Sequence, residues 1–497
     1  MSVLDYINSD IFAPVCKNGL PDLRSPSIDS ICSELYFAIK GDEEIFICGD
    51  PDMDGLSCNL VWEETLSILY DVKPKHFMYV SRQHTVDRDL LRQVQQSKAR
   101  IVLICDSGSG AADKFVIDSL YANGYTPIVI DHHVYEGDYE KDSKVYKMFN
   151  SFEERGLLGG AEVSGAYACL LVAACLCKHY FHRPLSFNAM VYALASMYSD
   201  VVDLSSVPGR ALYNAVASSN LPGPSLLIAM NKWGYKYTRR FFSYIVAPKI
   251  NACFRTENFS VLNRAMTTRD KYTLASIAEE LENVHATARN TMKMLIPMFE
   301  RERYGGVVLA IHEATDETNA LHVRNFSGLI ANHISREEKC LAIVVIKNNG
   351  VYAGSFRDFY NRKLLDTFQV FCNADGHDQA FGIEFKNLLD FRRHVALLSK
   401  QLQEVSQNEN IILSGSLIKD ETDIRALALY NEYMNVQPSV QITHRCPYAK
   451  LQNSTSYRKF YDVGFPVYVQ SQSPLVEGSN ILIEPCIVNS VELRCVD

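Results

Sequence analysis

Hydrophobic residues in the first 230 positions gather into short runs that end abruptly in polar turns. Ile45-Phe46-Ile47-Cys48, Ile101-Val102-Leu103-Ile104-Cys105 and Pro127-Ile128-Val129-Ile130 each stop at a glycine or an aspartate. Runs of this length read as strands. Between and after them, stretches such as Leu56 to Tyr70 and the segment from Phe187 read as helices. This alternation predicts a parallel α/β sheet over residues 1–230. The longest apolar run, Ala166 to Cys177, is too short to span a bilayer and reads as a buried helix.

Residues 231–302 read as a helical connector. Leu274, Ile277, Leu281, Val284, Ala288, Met292 and Leu295 recur every three or four positions, an apolar stripe that Pro297 ends. A second α/β unit is expected over residues 303–400. It has strands at Val307 to Ile311 and Leu341 to Ile346, and a hairpin at Lys347-Asn348-Asn349-Gly350-Val351-Tyr352. Residues 401–497 predict a helix, Glu421 to Met434, and then a β-rich module. Its strands are expected at Val436 to His444, Phe465 to Gln470 and Ile481 to Leu493.

The polar residues that end the apolar runs carry the chemistry. Gly49-Asp50-Pro51-Asp52-Met53-Asp54-Gly55 follows the first run, and in extended backbone alternate residues share a face. Asp50, Asp52 and Asp54 are therefore expected to point the same way, with Gly55 turning the chain into a helix. Asp106-Ser107-Gly108 and Asp131-His132-His133 follow the second and third runs. Ser199-Asp200-Val201-Val202-Asp203 follows a helical stretch. Ligands of open α/β sheets bind at the carboxyl ends of strands. Carboxylates crowded there repel one another unless cations neutralise them. An Asp and His set suits Mn²⁺ or Mg²⁺. Two such ions bridged by one aspartate would clamp a phosphoryl group and activate a water.

The order D-x-D-x-D-G, D-x-G, D-H-H, S-D-V-V resembles the DHH phosphoesterase superfamily. Further segments are similar to its RecJ exonucleases: Tyr79-Val80-Ser81-Arg82, Ala247-Pro248-Lys249-Ile250-Asn251-Ala252-Cys253-Phe254-Arg255, Gly354-Ser355-Phe356-Arg357 and Gly376-His377-Asp378-Gln379-Ala380-Phe381-Gly382. The resemblance runs in order from about residue 40 to residue 385. It implies a DHH catalytic domain, a DHH-associated domain and an OB-like C-terminal module. It also implies Asp52 and Asp106 on one ion, joined by Cys48, which stands where many members have a histidine. Asp54, Asp106, His132 and Asp200 would hold the other ion. Asp131 would orient the histidine pair, His133 would face the scissile phosphate, and Asp50 would orient ligands or hold water. Arg82, Ser355 and Arg357 would form a terminal-phosphate pocket, with Asn251, Arg255, Gly376 and His377 as further substrate contacts. Some positions depart from the pattern: Lys249 replaces an arginine, while Phe254 and Asp375 replace glycines.

The resemblance implies a metal-dependent 5′→3′ single-stranded DNA exonuclease of repair and recombination, with a single-strand-binding protein as partner. A phosphodiesterase of short oligonucleotides or cyclic dinucleotides is the alternative, and a non-enzymatic replication scaffold a third. Net charge of −9 does not advertise a nucleic-acid binder, although an acidic metal site accounts for several of those charges. Lys232 to Phe242 and Tyr457 to Tyr461 interleave cations with aromatics, as base-stacking tracks do. Amphipathic packing and a solvated turn are the plainer readings of the two. Fourteen cysteines without a C-x-x-C pair argue for free thiols in a reducing compartment. With no secretory signal at Met1 to Lys17, a cytoplasmic, monomeric protein away from membranes is expected (host cytoplasm for a viral one).

Overall fold

The computed structural model describes residues 22–70, 76–80, 86, 88–360, 362–377, 380–404, 412–414, 421–434, 439–443, 450–452, 455–460, 467–471, 480–487 and 491–496. The chain forms two compact units. The first joins Met1–Asn251, Ala265–Ala278 and Asn410–Asp497; the second joins Ala252–Arg264 and Glu279–Glu409. The expected connector is therefore shared between both units, and the C-terminal residues belong with the first.

The first unit is built on a five-stranded sheet: β1 (Ile45–Gly49), β2 (His76–Val80), β3 (Ile101–Cys105), β4 (Thr126–Asp131) and β5 (Lys147–Asn150). Its order is β2-β1-β3-β4-β5, and all its pairings are parallel. Every residue of β1 and β3 is buried, which is why these segments are unbroken in hydrophobicity. Phe46, Val102, Ile104 and Val129 pack on one face with Leu90, Val116 and Ile117. Helix Met53–Leu69 packs against helices Gly165–Cys175 and Phe187–Ser199. The apolar run expected as a buried helix is thus Gly165–Cys175.

The strand order decides where the functional groups meet. Because β3 lies between β1 and β4, whatever follows β3 stands between whatever follows β1 and β4. The order also reverses between β1 and β3, the switch point where α/β sheets open a crevice.

In the second unit, β6 (Glu300–Tyr304), β7 (Val307–Glu313), β8 (Leu341–Asn348), β9 (Val351–Asp358), β10 (Asn373–His377) and β11 (Ala380–Phe385) form a mixed sheet ordered β10-β11-β9-β8-β7-β6. The expected hairpin is present, with Asn349 and Gly350 both at positive φ as a tight two-residue turn requires. Strand β6, Glu-Arg-Glu-Arg-Tyr, carries no hydrophobic signature because it is a charged, mostly exposed edge. Helix Lys271–Leu295 buries Leu274, Ile277, Leu281 and Ala288 of the apolar stripe.

Helix Glu421–Tyr433 precedes most of a seven-stranded sheet made by β12 (Ile412–Ser414), β13 (Ser439–Thr443), β14 (Lys450–Gln452), β15 (Thr455–Phe460), β16 (Val467–Ser471), β17 (Asn480–Ile487) and β18 (Val491–Val496). The last expected strand is in fact the antiparallel pair β17 and β18. Tyr457 to Phe460, read as part of a turn, lie in β15; Tyr461 lies outside the described residues.

One constraint of the first unit can be tested by stability. A Cβ at Gly55 would lie 2.2 Å from the Asp50 backbone nitrogen, because the loop after β1 folds back on the first helical turn. Gly55→Ala should destabilise the protein by roughly 1–3 kcal/mol through this overpacking, read as a lower urea midpoint.

Candidate metal centre

The loop after β1 is not extended as the alternation of aspartates suggested. Helix Met53–Leu69 begins inside the motif, and Asp52 is its N-cap, accepting from the backbone N–H of Asp54 at 2.8 Å and Gly55 at 3.1 Å. A carboxylate at that position satisfies otherwise unpaired helix donors, which overrides the strand-like pattern. The turn splits the three aspartates between two groups. Ligand atoms of Asp50, Asp52 and Asp106 lie within 4.8 Å of one another, and so do those of Asp54, His132 and Asp200. A third such group contains Asp106, Asp131, His132 and His133.

Asp106 stands between the first two groups, as the position of β3 requires. Its backbone has φ +60°, in the left-handed region, while its N–H still bonds the carbonyl of Ile130 at 3.0 Å. Its Oδ1 lies 3.1 Å from His132 Nε2, with no hydrogen bond of good geometry between them. The same His132 nitrogen lies 3.7 Å from Asp54 Oδ2 and 3.6 Å from Asp200 Oδ2. The His132 ring also bonds the backbone of Val163. That bond directs Nε2 toward the carboxylates in the manner of a ligating imidazole.

Burial and the charge of the surrounding aspartates, Asp54 foremost, push Asp106 and Asp200 well above the usual carboxylate range. Asp54 and Asp200 approach to hydrogen-bonding contact, which two carboxylates sustain only around a shared proton or cation. Burial and the neighbouring His133 lower His132, keeping its imidazole neutral. Two donors on one Mg²⁺ at about 2.1 Å each stand at most about 4.2 Å apart. The groups therefore fit divalent cations after small side-chain adjustments.

The supports of these ligands were not evident from sequence. Asp54 Oδ2 accepts from Gly165 N–H at 2.7 Å, and Oδ1 accepts from Ala166 N–H at 2.8 Å and Ser196 Oγ at 2.6 Å. The carboxylate thus sits at the N-terminus of helix Gly165–Cys175, where it satisfies backbone donors that lack an intrahelical partner. Ser164, the N-cap of that helix, hydrogen-bonds Ser196. A Cβ at Gly165 would meet Asp106 Oδ1 at 2.7 Å, so any other residue would have to push the Asp106 side chain aside. Asn150, fully buried, donates to Ser109 Oγ at 2.7 Å and to the carbonyl of His133 at 2.9 Å. Ser, Asn and Gly in these roles sit singly inside apolar stretches, and no spacing announces them.

Asp131 is completely buried. Its Oδ1 accepts from His132 N–H at 2.7 Å and contacts His133 Nδ1 at 2.8 Å, while Oδ2 accepts from Ser109 N–H at 3.0 Å. Burial alone would raise this carboxylate, but the two histidines and Ser109 hold it well below the usual range. Burial would lower His133, but Asp131, followed by Asp50 and Asp54, raises it to about 10. Its side chain is 40% exposed.

Cys48 does not join either group. Its side chain packs with Phe46, Val102, Ile104 and Val129, because it shares the Phe46 face of β1 rather than standing at the strand end. Among the described residues, the cysteines from Cys32 to Cys372 are free thiols. Arg82 lies outside the described residues. Asn251, in helix Ala247–Arg255, has a buried Oδ1 without a hydrogen-bond partner among the described residues; Arg255 ends that helix and is half-buried.

In the second unit, Ser355 Oγ lies 2.8 Å from Ser327 Oγ, at the start of helix Ser327–Glu338. The Arg357 guanidinium packs beside Gly328 in that first turn and donates through Nη1 to the carbonyl of Phe356 at 2.6 Å. Burial alone perturbs it, pulling it down to about 10, with no carboxylate contributing. A buried guanidinium with hydroxyls at a helix N-terminus is suited to an anion. Gly376 has φ +131°, a conformation L side chains rarely adopt, at the end of β10 beside His377.

The sequence read as a basic-aromatic track divides in two. Lys232, Trp233 and Lys236 are exposed, whereas Arg239, Phe241 and Phe242 are buried. Packing therefore accounts for its second half.

No protein-family model matches the sequence, and no curated protein matches it. The fold has clear counterparts among solved structures. RecJ in complex with Mn²⁺ from Thermus thermophilus is 17% identical, with 98% of this chain and 73% of that chain covered at a TM-score of 0.69. RecJ with Mg²⁺ from the same organism is 16% identical, with 99% and 72% covered and a TM-score of 0.61. An exonuclease RecJ bound to manganese is 17% identical, with 78% and 99% covered and a TM-score of 0.57. The chain thus has the fold of these RecJ structures, with an acidic centre that fits divalent metal. No helix among the described residues is long and apolar enough to cross a membrane.

Isothermal titration of metal-stripped protein with Mn²⁺ tests the shared ligand. Asp106→Asn should weaken both ions, and Asp200→Asn only one. Gly165→Ala, by displacing Asp106, should weaken binding by roughly tenfold.

Proposed function

We propose that the protein is a two-metal phosphodiesterase that shortens single-stranded DNA from its 5′ end and releases 5′-mononucleotides. The observation that carries this reading is Asp106, which belongs to the Asp50 and Asp52 group and lies 3.1 Å from His132 Nε2 of the Asp54 and Asp200 group, at the carboxyl ends of β1, β3 and β4. Two divalent cations, Mn²⁺ or Mg²⁺, would supply charge neutralisation at the phosphate and a more acidic water. Asp50, Asp52 and Asp106 would hold one ion, and Asp54, Asp106, His132 and Asp200 the other.

The chain's own groups do the rest. Asp131 engages His133 Nδ1, leaving the opposite edge of a partly exposed ring to meet substrate. Held protonated, that ring donates to a phosphate oxygen and offsets charge as it develops. Arg357, Ser355 and the first turn of helix Ser327–Glu338 receive a phosphate, which gives the enzyme its preference for a phosphorylated 5′ end. The likeness to RecJ with Mn²⁺ extends over 98% of this chain, so it takes in the C-terminal β-rich residues of the first unit. That supports a polymeric substrate over a dinucleotide.

A 3′-labelled single strand incubated with Mn²⁺ should yield a ladder shortening from the 5′ end, with His132→Ala inactive. Cleavage confined to dinucleotides or cyclic dinucleotides would move the protein to that narrower class. Metal-dependent silence on every substrate would leave a scaffold. Arg357→Ala should erase the preference for a 5′-phosphate over a 5′-hydroxyl end. An unchanged preference would refute the assignment of that pocket.

A further inference from the structure

Asp200 differs from the other ligands in having no strand behind it. It caps helix Phe187–Ser199, and the next residue, Val201, has φ +56°. A β-branched residue there is strained, so the segment needs outside support. Within the segment, Val202 N–H bonds the carbonyl of Met197 at 2.9 Å. Ser243 Oγ donates to the carbonyl of Tyr198 at 3.2 Å and Phe242 stacks on its ring, and further support comes from residues more than 220 positions along the chain.

Helix Glu421–Tyr433 brings two consecutive residues to the two sides of Asp200. Glu432, 3% exposed, accepts through Oε2 from Tyr198 Oη at 3.0 Å and from Arg239 N–H at 2.8 Å. Arg239 Nη2 returns a bond to the carbonyl of Glu432 at 3.2 Å, and its guanidinium lies 5.0 Å from the Tyr198 ring centroid. Tyr198 is two residues before Asp200. On the other side, the carbonyl of Tyr433 accepts from Leu204 N–H at 2.8 Å, and Leu204 is fully buried. The Tyr433 ring packs edge-on against Tyr213 at 5.3 Å, with its hydroxyl 3.3 Å from Asn214 Oδ1.

We propose that Glu432 and Tyr433 are positioning residues for Asp200, so that the C-terminal helix sets the affinity of the ion held by Asp54, His132 and Asp200. The inference rests on the reading of the acidic cluster as a metal centre. It assigns the tail a specific effect: the Asp50, Asp52 and Asp106 group makes none of these contacts, and its ion is unaffected.

The test is Mn²⁺ titration of the metal-stripped full chain, followed by calorimetry and electron paramagnetic resonance. Wild type should bind two ions. Glu432→Ala should weaken one by about tenfold or more, leaving the other unchanged, with circular dichroism as wild type. Glu432→Gln, which keeps an acceptor for Tyr198 and Arg239, should recover most of the loss. Equal loss at both ions, or none in a folded Glu432→Ala protein, would overturn the inference. Should that variant not fold, Tyr198→Phe removes one hydroxyl contact and should still weaken the same ion alone; no change would overturn the proposal. Failure of wild type to bind Mn²⁺ would instead remove the metal-centre reading, and the proposal with it.

Discussion

Mutual repulsion among buried carboxylates governs this molecule. Asp50, Asp54 and Asp106 are all nearly inaccessible to water, and Asp52 and Asp200 stand beside them. Such a cluster is costly unless cations or protons neutralise it. The surrounding scaffold answers with fixed dipoles: the helix N-termini at Met53 and Gly165 face the acidic groups, and backbone N–H donors satisfy Asp52, Asp54 and Asp131. These donors hold the carboxylates in place.

Much of the acidic cluster was legible in the chain because its residues come in contiguous motifs. A strand end can hold two or three side chains together without tertiary help, so Asp50-Pro51-Asp52-Met53-Asp54 and Asp131-His132-His133 read as ligands. What alternation could not reveal was that Asp52 starts a helix. Capping is decided by which N–H groups need an acceptor, and spacing carries no record of that. Gly165, Ser196 and Asn150 were invisible for a different reason. Each acts on a ligand distant in sequence, and each is an ordinary small or polar residue in its own context. Cys48 shows the reverse case: a likeness between motifs suggested a ligand, and the structure packs it on an apolar face of β1.

The fold followed the same rule. Strands buried on both faces announce themselves by unbroken hydrophobicity, as β1, β3 and β8 do. Edge strands that meet water do not, and β6 was absorbed into the expected connector for that reason. Division of the chain was the least legible property, because contacts between distant segments, and not local composition, decide which helix joins which core.

The first unit draws on three separated stretches of chain, the last beginning at Asn410. During synthesis its sheet is complete by residue 150, yet the helix that flanks Asp200 emerges only after the whole second unit has been made. At roughly 5–20 residues per second the ribosome imposes a delay of tens of seconds between those events. Through that interval Tyr198 and Leu204 lack the contacts that Glu432 and Tyr433 make to them, and long-range closure of this kind is slow. The nascent chain would thus carry a completed sheet for that interval before the helix that reaches Tyr198 and Leu204 is made.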